Sequence, residues 1–254
     1  EGRGESVMVA FMLGLALRQM AELAELMGEE NDYLARYEAM KETVNRVAWD
    51  GEWYARATMD DGRFLGVKRE PMAKIWLNAQ TWAVLSGMAP AQRAHQAMDS
   101  VRRYLNTPLG IKKIDPAMAD YPTPEDPLTY YNKGCGENGS VFCHANAWAV
   151  IAECLLGRGE RAWEYYSQLL PMNAQAKAGE WRYKAEPYVY SSNIFGPESD
   201  KFGLANVSWL TGTAAWMYVA FTQYLLGVKP VWGGLSIEPC LPPQWESIEI
   251  TRIF

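Results

Sequence analysis

"GCGENGSVFCHANAW", residues 134–148, runs from a glycine-broken loop directly into an apolar helical pattern. It carries one acid, Glu137, and one of the chain's two histidines, His144. Downstream, Trp148, Ile151, Ala152 and Leu155 recur at i, i+3, i+4 and i+7, which predicts a helix from about residue 145 that Gly157 ends. Upstream, 106–139 is long, irregular and rich in Pro and Gly, and loops of that length are uncommon in compact domains unless they carry function. The same arrangement returns once. A second irregular stretch, 171–203, leads to "SWLTGTAAW" (208–216) and an apolar helix over 208–226.

Working outward, Met8, Phe11, Met12 and Leu15 open a helix over 6–27 that Gly28 stops. Further helices are predicted over 30–48, 73–87, 90–105 and 159–170, the last stopped by Pro171. "WDGEWYARATMDDGRFLG" (49–66) breaks the pattern with Asp-Gly pairs around short aromatic runs, as a hairpin does. Paired helices with long loops after alternate helices predict a mainly α chain, an (α/α)6 toroid whose loops line a pocket at one end. An α-solenoid would need a fixed-period repeat, and none is present. The final "VWGGLSIEPCLPPQWESIEITRIF" (231–254) alternates at Ile248, Ile250 and Ile253. The expected division is 1–228, part of the helical barrel, and 229–254, the truncated start of a β-element.

A net charge of −6 and the lack of a basic stripe argue against a nucleic-acid surface. No run approaches the ~20 apolar residues of a bilayer span, and no signal peptide is visible, so no membrane association is expected. The four cysteines lack zinc-type spacing and are too sparse for a disulfide framework. Reduced thiols, a cytoplasmic setting and no metal follow as expectations, which also strips the sequons at Asn138 and Asn206 of meaning. Eleven tryptophans and fourteen tyrosines suit sugar rings, although helical cores use aromatics too.

Acids gather in the irregular stretches: Asp60, Asp61, Asp115, Asp120, Glu125, Asp126, Glu137, Glu186, Glu198 and Asp200. An inverting hydrolase would need two of them opposed across a water, and no spacing selects a pair. The helix starts say more. Hydroxyls and free N–H groups at the head of a helix bind anions with help from the helix dipole, or simply cap it. His144 and Thr211-Gly212 each stand at such a start after a long loop, which points to one shared anion site.

"ENGSVFCHANAW", "EPYVY", "SWLTGTAAW", "WDGEWYARATMDDGRFLG" and "IWLNAQTWAVLSG" resemble, in order and across nearly the whole chain, the inverting glycoside phosphorylases. That family includes the cellobiose, cellodextrin, cellobionic acid and chitobiose phosphorylases. The resemblance implies an (α/α)6 barrel followed by a C-terminal β-element. It also implies phosphorolysis of a β-glucoside to α-glucose 1-phosphate by a full-length homodimer, with inorganic phosphate as co-substrate and no cofactor. Phosphate ligands carry over to His144, Thr211 and Gly212. On the acceptor side Glu137 matches a Lys-Glu pair, whereas Gly136 replaces its lysine and opens space; Ser191 or Ser192 replaces a donor-side Gln. Both departures favour an acceptor such as gluconate over plain glucose. The family's general acid is the aspartate of a Trp-Asn-Asp motif that would lie just upstream of Glu1, so no catalytic residue is expected within these 254 residues and they should be inactive alone. An inverting hydrolase on a similar toroid, or a non-catalytic carbohydrate-binding helical domain, are the alternatives.

Overall fold

The computed structural model describes residues 2–118 and 131–251. Asp120, Glu125, Asp126 and Ile253 fall outside them. Helices come in pairs. α1 (Val7–Met27) packs on α2 (Tyr33–Val47), α3 (Leu77–Leu85) on α4 (Ala91–Leu105), and α5 (Cys143–Leu155) on α6 (Gly159–Leu169). One member of each pair also touches the next, α1 on α3 and α3 on α5, and α5 meets α9 (Thr213–Val219), which widens into a π-helical turn over Ala220–Leu225. The result is an inner row, α1–α3–α5–α9, backed by an outer row, α2, α4 and α6. Burial follows the rows. Residues 77–84 of α3 are all buried, whereas α4 and α6 each keep a polar outer face.

α1 corrects one expectation. By length and composition it could cross a bilayer. Its residues Phe11, Gly14, Leu17, Ala21 and Ala24 are nevertheless buried on one side, where a Cβ on Gly14 would collide with the Met88 methyl. The opposite face leaves Val9, Leu13, Leu26 and Met27 exposed.

Short strands gather where the inner helices begin. β1 (Ala57–Thr58) and β2 (Phe64–Leu65) form the predicted hairpin, and Ser6, the N-cap of α1, bridges to Ala57. β3 (Ile75–Trp76) runs into α3 and pairs with β6 (Ile114–Asp115); between α4 and β6 lies the hairpin β4 (Asn106–Thr107) with β5 (Gly110–Ile111). A three-stranded sheet joins β7 (Val141–Phe142), β8 (Ser191–Ile194) and β9 (Ala205–Ser208). Buried amides fasten these strands to the helices. Gln80 takes the Tyr54 N–H at 2.8 Å and returns a hydrogen bond to the Tyr54 carbonyl, and Asn146 does the same for Ile111.

The irregular stretches are more structured than their sequences suggest. Pro171 begins a helix instead of only ending one, since the first helical position needs no N–H: α7 (Pro171–Ala178) leads into α8 (Glu180–Tyr183). The helix expected over 208–226 starts at Thr213, because 205–208 is strand. At the C-terminus β10 (Val228–Val231) pairs with β11 (Gly234–Ile237). Beyond it the alternation at Ile248 and Ile250 forms no strand among the described residues. That tail lies on the outer row, with the Trp245 ring 4.8 Å from Trp163 and the Leu241 carbonyl against Gly159.

Candidate functional site

β7 and β9 both run antiparallel to β8, so they run parallel to each other and end side by side. β7 continues directly into α5, which puts His144 two residues beyond the strand. β9 continues through Trp209 and Leu210 to Thr211, Gly212 and α9. The two polar helix starts are therefore brought together by the strand between them. A Cβ placed on Gly212 would lie 3.3 Å from His144 Cε1, so the chain passes close to the ring and a side chain here would press on it.

His144 Nε2 is buried and has no hydrogen-bond partner. An unpartnered buried ring nitrogen costs about 1–3 kcal/mol, which is tolerated where a ligand supplies the missing partner. The ring stands 4.9 Å from Trp148 and 6.0 Å from Trp216, an aromatic wall that fixes its plane. Burial, helped by the Lys113 ammonium, holds its pKa below the usual histidine range, so the imidazole is neutral near pH 7.

Thr211 Oγ1 accepts the Thr213 N–H at 3.2 Å and shares a 2.6 Å hydrogen bond with the Thr213 hydroxyl. Thr211 thus closes a local turn onto the first residue of α9, one position before the Gly212 that meets His144. The approach is strained. Val207 and Trp209 sit at φ 55° and 70°, left-handed conformations that cost a β-branched or bulky residue on the order of 1–3 kcal/mol each. Strain of that kind collects where a segment is held in place for a ligand.

Among the described residues, Glu137 is the candidate acid with a cationic partner next to His144. It is ion-paired with Lys113, whose Nζ lies 4.4 Å from the centroid of the Phe142 ring. Arg56 belongs to the same group: its pKa is lowered by burial and raised again by Glu137, and its Nη1 donates to Ser6 Oγ at 2.7 Å. Sequence reading missed Lys113 and Arg56. The signal for Lys113 was "GIKKID", adjacent lysines in an otherwise apolar extended run, whose side chains must leave on opposite faces.

Gly136 overturns an expectation. Its φ of 50° suits glycine, but the position is not open: a Cβ there would meet the Tyr131 ring at 2.6 Å. Ser192 lies half-buried in β8, on the face opposite Ser191, whose hydroxyl stands 3.7 Å from Cys143 Sγ. The other described acids are engaged elsewhere. Asp60 accepts the N–H groups of Arg3 and Gly4, Asp61 pairs with Arg63, and Asp115 and Glu198 share Lys112. Glu186 accepts from the Trp209 indole at 3.2 Å in solvent, and exposed Asp200 accepts from the Ser199 hydroxyl.

A profile described as the catalytic domain of the glycosyl hydrolase 94 superfamily matches residues 1–227. The solabiose phosphorylase of Paenibacillus borealis is 37% identical over 257 residues, covering 100% of this chain and 33% of that protein. The N,N'-diacetylchitobiose phosphorylase of Vibrio proteolyticus is 39% identical over 259 residues, with 99% and 32% covered. The cellobionic acid phosphorylase of Neurospora crassa is 28% identical, with 100% and 33% covered. The chain spans about a third of the length of these curated relatives. Among solved structures, the GH63 mannosylglycerate hydrolase of Thermus thermophilus in complex with glucose aligns at a TM-score of 0.58 with 14% identity, over 86% of this chain and 48% of that one. At that identity the likeness concerns the helical fold.

Proposed function

Because the chain belongs to the glycosyl hydrolase 94 superfamily, we propose that it is the C-terminal part of an inverting phosphorylase acting on a β-linked disaccharide. In this reading residues 1–228 complete an (α/α)6 barrel and 229–254 begin a C-terminal β-element. Phosphate attacks the anomeric carbon, so a single general acid suffices, to protonate the leaving oxygen. None of the described acids is assigned that role. The part played by this chain is to hold the anion. In this reading His144 Nε2–H, the Thr211 hydroxyl and the Gly212 N–H together bind the phosphate at the heads of α5 and α9, where backbone dipoles favour negative charge. Glu137 accepts hydrogen bonds from hydroxyls of the acceptor sugar.

The observation that carries this reading is the unpartnered His144 Nε2 against Gly212. Its test is product analysis with the full-length enzyme. A β-linked disaccharide plus inorganic phosphate should give α-glucose 1-phosphate, with no turnover when phosphate is withheld. Free glucose released at the same rate without phosphate would make the protein a hydrolase. Sugar binding without turnover would make it a binding module.

A further inference from the structure

Lys113 is anchored by its backbone on both sides. Its carbonyl accepts the Leu77 N–H at 2.9 Å, at the head of α3, and its N–H donates to Ser140 O at 2.8 Å, beside β7. Its neighbour Lys112, on the opposite face, has two carboxylates: Nζ meets Asp115 at 2.5 Å and Glu198 at 2.8 Å. Lys113 turns the other way and, among the described residues, has one carboxylate, Glu137. Its side chain is 9% exposed, whereas that of Glu137 is 41% exposed.

The asymmetry matters. An ammonium this buried is costly unless its charge is used, and Phe142 offers it only a ring face. The groups facing it are Glu137 from the loop before β7, Arg56 from the segment before β1, and His144 from α5. Position 136, next to Glu137, carries no side chain, and Tyr131 fills the space where one would begin. Among the described residues, the ammonium that holds Glu137 therefore comes from a different segment, about twenty residues away in sequence. A carboxylate has roughly four acceptor positions, and one ammonium occupies one or two of them. The remainder point to where Glu137 is exposed.

We propose that Lys113 is a positioning residue for sugar recognition: it holds the Glu137 carboxylate in the one orientation from which its free lone pairs accept hydroxyls of the acceptor sugar. This rests on the reading of Glu137 as a sugar ligand. It does not require phosphorolysis.

The experiment is calorimetric titration of the full-length enzyme with glucose, gluconate and N-acetylglucosamine, for the wild type, Lys113→Met, Glu137→Gln and the double variant. Each single change should weaken the best-bound sugar about tenfold, and the double variant should be little worse than either, because both remove one unit. In the synthesis direction Lys113→Met should raise the KM for that sugar while kcat at saturation stays within about twofold, a split that general loss of folding does not give. Unchanged affinity in Lys113→Met overturns the proposal. So do losses that multiply to about a hundredfold in the double variant, or a wild type that binds none of the three sugars. If the binding pattern appears but no phosphate-dependent product forms, the proposal stands and only the phosphorolysis reading fails.

Discussion

At its first turn α5 carries His144, and nine residues on, about 14 Å along the axis, it carries Glu153. The Nε2 atom of the half-buried His144 and both carboxylate oxygens of Glu153 are withdrawn from water and lack a hydrogen bond. Their surroundings differ. Glu153, fully buried, has Arg158 and Arg161 at 3.6 Å, too far for hydrogen bonds but close enough for attraction, and Asp99 binds the same two arginines from outside. That end is closed over by charge of known sign. At the His144 end the neighbours are a glycine, two indoles and the Lys113 ammonium, which can offer no lone pair and only repels a proton on the ring, and among the described residues nothing hydrogen-bonds Nε2. A buried charge with partners is architecture, whereas an unanswered polar atom beside a glycine is space kept for a ligand.

Replacing each group should break the comparison in its own way. The largest effect is expected from His144→Ala in the full-length enzyme. If Nε2–H supports transition-state charge on phosphate, kcat/KM for phosphate should drop 10²- to 10³-fold while the melting temperature barely moves. Steady-state kinetics with varied phosphate decides it, and unchanged phosphate kinetics removes the assignment.

Glu153→Gln should do the reverse, leaving activity alone and changing the pH dependence of stability. Burial, opposed by Arg161 and Arg158, pushes the Glu153 carboxyl up to about 7 from an ordinary 4.5. The folded state therefore binds the extra proton between those values, and stability falls as pH rises from about 4.5 through about 7. The swing is on the order of 3 kcal/mol, and the pH dependence of Tm from pH 4.5 to 7.5 should largely vanish in the variant. An undiminished slope would place the titration elsewhere.

Thr211→Val comes third. It removes a hydroxyl while keeping shape, and about a tenfold rise in phosphate KM with unaltered disaccharide binding is expected. A lower Tm with normal phosphate kinetics would leave Thr211 as a cap of α9 only. Gly136→Ala is the smallest: a left-handed residue gains a Cβ against Tyr131, costing on the order of 1 kcal/mol. Tyr131→Ala in the same chain should restore the steric share, and thermal melts of the three variants measure it.

The helices were legible because burial imposes a 3.6-residue period on each, and capping residues such as Gly28 mark their ends. So were His144 and Thr211-Gly212, since polar residues at the head of an apolar helix stand out locally. Lys113 and Arg56 were not. Nothing within ten residues of Lys113 announces Glu137; the pairing exists because Lys113 is hydrogen-bonded to Ser140 across the strands. β8 was hidden for a similar reason. "SSNI" has no strand alternation, and its place is set by β7 and β9 on either side. Gly136 shows the opposite failure, a small residue read as vacancy whose space a neighbour already fills.

The Asn138 side chain takes the Met118 N–H at 2.7 Å and donates to the Tyr131 carbonyl at 2.8 Å, so one amide joins the two residues that flank 119–130. One side chain thus ties both residues to the loop that carries Glu137, and Asn138→Ala should release the two together.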